Sequence, residues 1–455
     1  MSASLSLELA NYATATSLDA IPAEVRERAK HVILDEMASA TFGRGRVAGD
    51  LAARYAMSFG GTSESLILGT RVRVPAPYAA LANGTAGHAD EVDGAHVVGG
   101  HPGASIVHAA VAMAERQRAS GAELINAVVL GYDVGVRLLH ACGGVFVAKS
   151  RFKLHGDLLY ALGATAAACR LLGLDAARHC HAWALATFQA NGLVALFAER
   201  RHISKAFCNG QYATAGVSAA LMAGAGLEGH DDILGASFGV LDAWGIEGGA
   251  EEVTRGLGRD FSIMGANFKF VNAGYPIHTV IEAAMKLVDD HGIDAGSIES
   301  IHVGMPGNTM RVVDNRQMHN ICVQDMLAAA LLRGGLSLRE APFPAILGDP
   351  AFAPMRARIK VGIDPDLERE FPNGRGANVA ITQAQGATFS QRVDWPRGHS
   401  RRGGVSWDDL AAKWHDGLPD YDVNRMVAVT STLEMVEDVR QLTTAFEGTN
   451  TGSRE

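Results

Sequence analysis

The sequence predicts a mainly α protein: a large all-helical domain, a smaller α+β lid domain with an antiparallel sheet, and C-terminal helices that return to the helical domain. Three observations support this fold class. Apolar residues recur at spacings of three and four up to about residue 270. From about Asn272 several short segments alternate with period two, and after about residue 400 the helical spacing returns. The predicted boundaries are 1–271, 272–400 and 401–455.

The first part of the chain has the pattern of consecutive helices rich in Ala, Leu and Gly, with Gly or Pro near their ends. Small side chains let helix axes approach closely, and an aromatic content of only 6% agrees with such packing. The clearest predicted helices cover residues 22–42, 104–118, 120–140, 158–173 and 210–226.

The second part alternates between strand and helix patterns. Helices are predicted over 276–290 and 324–333. The predicted strands cover residues 297–303, 358–363, 377–381 and 388–393, with a turn at Gln385 and Gly386 before the last one. In the third part, Ser406 and Asp409 have the spacing of a capping box, which predicts a helix start, and helical spacing continues over 421–446.

Composition excludes several classes of protein. The chain has 455 residues, of which 48% are hydrophobic and 20% charged, as expected for a globular protein with more than one domain. A net charge of −9 without any Lys/Arg run argues against a nucleic-acid partner. The five scattered cysteines form no CxxC motif, which fits a reducing cytoplasm and argues against a structural zinc or iron–sulfur site. No secretory signal is recognisable, and the apolar stretches are too short to span a bilayer, so we expect a cytoplasmic protein without a membrane partner.

The densest polar cluster is residues 88–101, HADEVDGAHVVGGH, with three His, two Asp and one Glu. A metal site is the first hypothesis, but the spacing matches no recurrent ligand pattern and differs from HExxH, so no metal is expected. A solvated loop with incidental histidines is the second. That hypothesis leaves unexplained why His101 stands at the start of an apolar helix.

Three basic residues stand near predicted helix starts. His101 precedes the helix over 104–118, His155 precedes the helix over 158–173, and Lys205 lies ahead of a helix that starts near Gly210. Helix N-termini favour anions because their first N–H groups are unpaired. Three such ends at one cleft would bind a polycarboxylate. The alternative for each residue alone is simple capping or packing.

Lys269 lies where the helical pattern changes to the strand pattern, and His278 follows nine residues later. A lysine at a domain junction is often only a surface residue, but a cleft between domains is also where ligands usually bind. Other motifs are absent or out of context. The GxGxxG match at 224–229 follows a helical run instead of a strand, and the sequence contains no GxxxxGK[ST]. Residues 235–239, GASFG, match GxSxG in letters but follow no strand pattern, so no nucleophile elbow is predicted. Dinucleotide binding and Ser-His-Asp chemistry are therefore not expected.

The chain resembles the MmgE/PrpD family, which includes 2-methylcitrate dehydratase, cis-aconitate decarboxylase and iminodisuccinate epimerase. The resemblance implies a helical domain closed by an α+β lid, usually a homodimer, with no organic cofactor and no required metal. By position, His101, His155, Lys205 and Lys269 match the family's catalytic and carboxylate-binding residues. The resembling segments are 83–88, 101–104, 161–168 after His155, 171–175, Ser204 with Lys205, 269–278 and 326–335.

The sequence also departs from the family pattern. Glu91 replaces an Asp, Ala95 replaces a hydroxyl residue, and Asp325 stands where decarboxylase-like members carry a Tyr. These changes indicate a substrate other than cis-aconitate or 2-methylcitrate. An Asp325 carboxylate close to the substrate would repel another carboxylate, which favours an amino-bearing substrate. We predict Glu91 as a further catalytic residue. The predicted substrate-binding residues are His88, Asp93, His96, His278 and Asp325.

We therefore predict a cofactor-independent lyase or isomerase that acts on a small di- or tricarboxylate by proton abstraction next to a carboxylate. His101 and His155 would be acid and base, in an order the sequence leaves open, while Lys205 and Lys269 stabilise negative charge. A hydro-lyase like 2-methylcitrate dehydratase is the first expectation. Epimerisation of an amino- or imino-dicarboxylate comes second and decarboxylation third. A noncatalytic binding protein with the same fold is the alternative from another class.

Overall fold

The computed structural model describes residues 4–339, 343 and 345–448. It confirms the predicted fold class: helices dominate, and a small four-stranded sheet lies in the second part of the chain.

Long helices form the first part of the molecule, and several begin or end within two residues of the prediction. The helix predicted near Gly210 is the exception, since it begins six residues earlier, at Ser204. In chain order the helices are α1 (Leu5–Ala15), α2 (Ala23–Gly43), α3 (Val47–Met57), α4 (Ala76–Gly87), α5 (Pro102–Gln117), α6 (Gly121–Ala141), α7 (Gly144–Val147), α8 (Tyr160–Leu172), α9 (Ala176–Thr187), α10 (Ser204–Gly224), α11 (Val240–Ala243) and α12 (Gly249–Thr254).

Glycines let these helices approach backbone to backbone. A Cβ on Gly163 of α8 would lie 2.4 Å from the carbonyl oxygen of Gly131 in α6. A Cβ on Gly210 of α10 would lie 2.3 Å from the carbonyl oxygen of Leu81 in α4. Both distances are too short for any side chain, so glycine is required at these two crossings.

Helix α6 is long and apolar enough to cross a membrane by length and composition alone. In the structure 94% of its 18-residue apolar window is buried inside the protein. Its apolar character is therefore explained by packing in the bundle.

Two short antiparallel strand pairings lie within the helical part. Strands β1 (Ser65–Leu66) and β2 (Arg73–Val74) pair with each other. Strand β3 (Ala95–His96) pairs antiparallel with β4 (Ala266–Asn267), although 169 residues lie between the end of β3 and the start of β4. The second pairing fixes the polar segment 88–101 against the end of the helical part.

The lid contains a sheet with the strand order β6-β5-β7-β8. Pairings β5–β7 and β7–β8 are antiparallel, as predicted, whereas β5 and β6 run parallel. A parallel neighbour requires a crossover, and helices between β5 and β6 provide it. The elements are α13 (Ile277–His291), β5 (Ile298–Met305), α14 (Gly307–Val313), α15 (Val323–Arg333), α16 (Phe352–Ala357), β6 (Ile359–Ile363), α17 (Pro365–Glu370), β7 (Ala377–Gln383) and β8 (Thr388–Val393).

The last part of the chain is helical again, with α18 (Trp407–Gly417), α19 (Val423–Ser431) and α20 (Arg440–Thr443). The predicted capping box is present, because Ser406 and Asp409 exchange side-chain and backbone hydrogen bonds at the start of α18. Trp414 of α18 is fully buried and belongs to the same apolar core as the first helices. A second apolar core lies between the lid sheet and α13 and α15. The exact domain boundaries stay a prediction.

Candidate active site

The pairing of α4 with α10 brings two distant polar residues together. The two helices run antiparallel and touch at Gly84 and Gly210. His88 follows the end of α4, and Lys205 lies in the first turn of α10. The ammonium of Lys205 therefore reaches His88 Nε2 and also Glu91 Oε1, with both of which it forms short hydrogen bonds.

The segment between His88 and His101 is a compact loop with unusual backbone angles. Glu91 has a φ of +56°, which is rare for a residue other than glycine and is typical of functional sites. Gly100 has a φ of +76°, and a Cβ there would lie 2.1 Å from Asp157 Oδ1. Asp157 also accepts a hydrogen bond of 3.0 Å from the backbone N–H of His101. Asp157 thus links the His101 segment to the His155 segment.

Lys269 reaches the same loop from the other side, because it follows strand β4 by two residues. Its Nζ lies 2.7 Å from Glu91 Oε2, 3.1 Å from the Glu91 carbonyl oxygen and 3.7 Å from Asp93 Oδ1. Lys269 is completely buried. We call His88, Glu91, Asp93, Lys205 and Lys269 the buried ion network.

Helix α18 packs against the loop between His88 and His101. Lys413 donates a hydrogen bond of 2.9 Å to the carbonyl oxygen of Val92 and pairs with Asp35 at 2.6 Å. Glu36 accepts a hydrogen bond of 3.1 Å from the N–H of Gly94. Lys413, Asp35 and Glu36 are all buried, so the loop rests on a fully packed base of polar side chains.

The two carboxylates of the network stay ionised because of their partners. Burial alone would raise the pKa of Glu91, but Lys205 and Lys269 outweigh it and hold the pKa well below its usual range. Burial likewise opposes the charge of Asp93, and its histidine neighbours with Lys269 lower its pKa. Burial lowers the pKa of His88 to about 4, so this imidazole is neutral.

His101 has a defined tautomer. Its Nδ1 lies 2.9 Å from the carbonyl oxygen of Gly94 and 3.1 Å from Asp93 Oδ2. Since a carbonyl oxygen can only accept, Nδ1 carries the proton. The lone pair of the imidazole is therefore on Nε2, which lies 3.9 Å from Glu91 Oε2. A carboxylate-supported imidazole with a free Nε2 is the arrangement of a general base.

His155 has a different arrangement. Its Nδ1 lies 3.5 Å from the hydroxyl of Tyr212 and 3.6 Å from Cys208 Sγ, and burial raises the pKa of the Tyr212 phenol and keeps it protonated. A phenol hydroxyl can donate or accept, so these contacts allow either tautomer of His155. Burial lowers the pKa of His155, so the ring is neutral. Among the described residues, the Nδ1 of His155 thus has no carboxylate partner, in contrast to that of His101.

These groups line one cavity of about 130 Å³ between the helical part and the lid. Glu91, His101, His155 and Lys205 lie on its inner side. Asp157 also lines it. The structure therefore brings three of the four residues that we had singled out by position onto one surface. The fourth, Lys269, lies behind Glu91 and does not line the cavity.

The opposite side of the cavity is lined by Lys149, Tyr275 and Arg375, which we call the outer wall. Lys149 belongs to a short π-helical turn over Ala148–Phe152, a type of turn that is frequent at functional sites. Tyr275 follows the junction of helical part and lid, and Arg375 precedes β7. The sequence prediction missed all three residues. Only Tyr275 had a signal, because it lies inside the 269–278 segment.

A metal could in principle bind at His88, Glu91 and His101, whose potential ligand atoms lie within 4.8 Å of one another. However, the Lys205 ammonium is hydrogen-bonded to His88 Nε2 and to Glu91 Oε1. The same lone pairs cannot also coordinate an ion, so a metal would require Lys205 to move. In this structure the Lys205 ammonium supplies the positive charge between His88 and Glu91.

All three predicted substrate-binding histidines, His88, His96 and His278, lie outside the cavity lining, and so does Asp93. His88 and Asp93 belong to the buried ion network. His96 Nε2 is 2.8 Å from the carbonyl oxygen of Ser262 and lines a neighbouring cavity of about 400 Å³. His278 Nε2 is 3.1 Å from the carbonyl oxygen of Ala273. Burial lowers the pKa of His96 to about 4 and that of His278 to about 3. Both contacts fix backbone segments beside the site.

Asp325 also lies away from the cavity lining. Its carboxylate contacts His319 Nδ1 at 2.7 Å and Arg356 Nε at 2.5 Å. The negative charge of Asp325 is therefore compensated within the lid. The repulsion that favoured an amino-bearing substrate has no basis in this geometry.

The helix ends contribute less than predicted. The first N–H groups of α10 are taken by Glu199, which accepts from Ile203, Ser204 and Lys205. The N–H of His101 is taken by Asp157. Side chains of this protein occupy these donors, so a substrate anion must be held mainly by lysine and arginine side chains.

Comparisons with known proteins cover nearly the whole chain. Residues 7–251 match the family model of the MmgE/PrpD N-terminal domain, and residues 272–430 match that of the MmgE/PrpD C-terminal domain. Human cis-aconitate decarboxylase is 26% identical over 448 residues, which cover 93% of this chain and 90% of that protein. The mouse cis-aconitate decarboxylase is 26% identical over 445 residues, covering 92% and 89%. The cis-aconitate decarboxylase of Aspergillus terreus is 29% identical over 294 residues, covering 62% and 59%.

Proposed function

The chain belongs to the MmgE/PrpD family, and we propose that it is a cofactor-independent hydro-lyase that eliminates water from a small hydroxylated di- or tricarboxylate. Membership makes it an enzyme of this family, and its relatives support lyase-type activity on a carboxylate. The choice of dehydration rests on one observation. The Nδ1 atom of His101 faces a carbonyl oxygen and a carboxylate, whereas that of His155 faces a phenol hydroxyl.

The partners of His101 fix its Nδ1–H tautomer, and in the proposed mechanism Tyr212 donates to His155 Nδ1, so the two histidines have different roles. His101 Nε2 has a lone pair and takes the proton from the carbon next to a substrate carboxylate. His155 Nε2–H donates a hydrogen bond to that carboxylate as negative charge develops on its oxygens. The C–O bond to the hydroxyl group then breaks. The proton on His101 leaves with the hydroxide as water, so the products are an unsaturated acid and one water molecule.

Lys205 supports this sequence electrostatically. Its ammonium lies between His88 and Glu91 at the inner side of the cavity. A fixed positive charge close to the developing enolate lowers the barrier without reorganisation of solvent. Lys269 acts one layer deeper, since its contacts hold Glu91 and Asp93 in place. Asp93 in turn fixes the His101 tautomer.

The same asymmetry disfavours epimerisation. Inversion of a stereocentre needs one group that removes a proton and, on the other face, a group that delivers one. A neutral His155 would have to deliver its Nε2 proton and become an imidazolate, which is strongly unfavourable near neutral pH. Elimination uses only one proton shuttle, His101, and therefore fits the site better.

Decarboxylation of an unsaturated tricarboxylate is a second candidate. It is favoured by the relatives over most of the chain, which are cis-aconitate decarboxylases. In that reaction the C–C bond to a carboxylate breaks, carbon dioxide leaves, and a protonated His101 supplies the proton to the carbanion. The two candidate reactions use the same residues. They differ in the substrate and in whether His101 is neutral or protonated when the reaction begins.

The test is to follow 2-methylcitrate, citrate and cis-aconitate separately with the full-length protein by proton NMR in D₂O. Dehydration predicts unsaturated tricarboxylate from one of the hydroxy acids without release of carbon dioxide. Release of carbon dioxide from cis-aconitate, without dehydration of either hydroxy acid, would establish the second candidate instead.

His101→Asn should lower kcat/KM by about 10²- to 10⁴-fold, as expected for loss of a general base. Lys286→Met is the matched control for folding and handling, because Lys286 is an exposed lysine on α13 that pairs only with Asp290. If His101→Asn retains the activity of the control, the assigned base is wrong.

A further inference from the structure

The outer wall has positive charges without nearby acidic partners. Among the described residues, no carboxylate lies within ion-pair distance of Lys149 or Arg375. The acidic residues that line the cavity, Glu91 and Asp157, are engaged on the inner side. Two cations that line a cavity without carboxylate partners attract an anion to it.

Aromatic rings hold both cations in position. Lys149 Nζ lies 5.1 Å from the centroid of the Phe197 ring, which in turn lies 5.6 Å from the ring of His155. Arg375 Cζ lies 5.0 Å from the centroid of the Phe146 ring. These cation–π contacts orient the charged groups without consuming the positive charge.

Arg375 also connects the lid to the helical part. Its guanidinium donates a hydrogen bond of 2.9 Å to the carbonyl oxygen of Val97. The remaining guanidinium N–H groups are available to a ligand, since Arg carries five donors. Burial lowers the pKa of Arg375, which reflects how poorly its charge is solvated. A carboxylate beside it would compensate that cost.

Tyr275 supplies an independent observation. Its hydroxyl is buried, and within the described part of the chain it has no hydrogen-bond partner. A buried hydroxyl without a partner is costly, so such groups usually mark a place for a ligand or water. Tyr275, Phe146 and Arg375 line both this cavity and the neighbouring cavity of about 400 Å³. Tyr275 and Arg375 of the outer wall therefore lie between the cavity that contains His101 and His155 and the larger neighbouring cavity.

From this arrangement we propose that Lys149, Tyr275 and Arg375 form a second carboxylate subsite, which binds a carboxylate of the substrate remote from the reacting carbon. This inference rests on the proposed function and names the residues that bind the remote carboxylate of its substrate. The substrate carries at least two carboxylates, one at the His101 and Lys205 side and one at the outer wall. Tyr275 donates its hydroxyl hydrogen to the remote carboxylate.

The experiment measures binding by titration calorimetry with two unreactive probes, tricarballylate with three carboxylates and propionate with one. Lys149→Met and Arg375→Met should each weaken tricarballylate binding by about tenfold or more, as for loss of a charged hydrogen bond. Tyr275→Phe should weaken it by about threefold to tenfold. Propionate binding should change by less than about twofold, because one carboxylate can use the inner side alone. Lys286→Met should leave both unchanged.

Several results would overturn the subsite. They are unchanged tricarballylate binding in both cation variants, equal weakening of both probes, or wild-type protein that binds tricarballylate no better than propionate. Thermal unfolding of each variant checks folding, and Tyr275→Phe keeps the shape of the wall if a cation variant unfolds.

Failure of the subsite and failure of the proposed function are distinguishable. His101→Asn should lower kcat/KM by about 10²- to 10⁴-fold while it retains tricarballylate binding. If His101→Asn keeps turnover and Lys149→Met still weakens tricarballylate binding, the acid–base assignment is wrong and the subsite is supported. If His101→Asn loses turnover and Lys149→Met binds tricarballylate like the wild type, the subsite is wrong and the acid–base assignment is supported.

Discussion

The two sides of the cavity use the same residue types in different ways. In the buried ion network, Lys205 and Lys269 contact carboxylates of the protein itself. On the outer wall, Lys149 and Arg375 contact aromatic rings and no protein carboxylate among the described residues. The first arrangement stabilises the shape of the catalytic loop. The second leaves charge for a substrate, so the partners of a lysine, more than its identity, indicate its role.

The strongest test of this difference is Lys269→Met. The change removes one of the cations that contact the buried Glu91 and Asp93, and loss of one partner of a buried ion pair costs about 3–5 kcal/mol of unfolding free energy. Lys149→Met, on the outer wall, should change the unfolding free energy by no more than about 0.5 kcal/mol. Urea unfolding at pH 7.5 measures both.

Equal destabilisation by the two variants would contradict the distinction between the two sides. Lys286→Met provides the baseline, since its exposed ion pair with Asp290 stabilises the fold by no more than about 0.5 kcal/mol.

Acidification offers a second test. Burial lowers the pKa of His88 to about 4, whereas an unfolded chain has a histidine pKa of about 6.5. Between these values the unfolded chain binds a proton that the folded chain does not, so the unfolding free energy falls as pH falls from 6.5 toward 4. Each such histidine contributes about 1.4 kcal/mol per pH unit. The slope should therefore decrease by about one proton in His88→Gln and stay unchanged in Arg375→Met.

The measurement is urea unfolding at several pH values between 7 and 5. Other buried histidines, such as His278, add to the wild-type slope, so the difference between variants is the informative quantity. An unchanged slope in His88→Gln would mean that His88 is protonated in the folded protein, and the role of Lys205 as its donor would have to be revised.

The smallest expected effect concerns His155 on the inner side. Tyr212→Phe removes the hydroxyl that donates to His155 Nδ1 in the proposed mechanism, so the two tautomers of the imidazole compete. We expect kcat/KM to fall by about tenfold, close to the net value of one hydrogen bond. Tyr55→Phe is the matched control, because Tyr55 is an exposed tyrosine. Unchanged kinetics in Tyr212→Phe would remove the argument for opposite tautomers.

Much of the architecture follows from local patterns in the sequence. The periodicity that predicted a helix over residues 120–140 and the Ser406 capping box are properties of neighbouring residues, and both elements are present. The parallel pairing of β5 with β6 was not predicted. Strand order depends on packing of the crossover helices, which period-two alternation does not encode.

The site was only partly predictable for a similar reason. His101 and Lys205 lie near helix starts, and this position gave them a signal. Lys149 and Arg375 lie in segments without a motif, and only the folded chain places them at one cavity. Whether a lysine faces a protein carboxylate, as Lys269 does, is likewise a tertiary property.

The hydrogen bond from Lys413 to the Val92 carbonyl has a consequence for how the protein is made. The two residues are 321 positions apart, and a ribosome adds about 5–20 residues per second. The loop that carries Glu91 and Asp93 is therefore synthesised about 15–65 s before the lysine that supports it has been added. During that interval the nascent chain lacks a finished catalytic centre. The enzyme becomes competent only near the end of its translation.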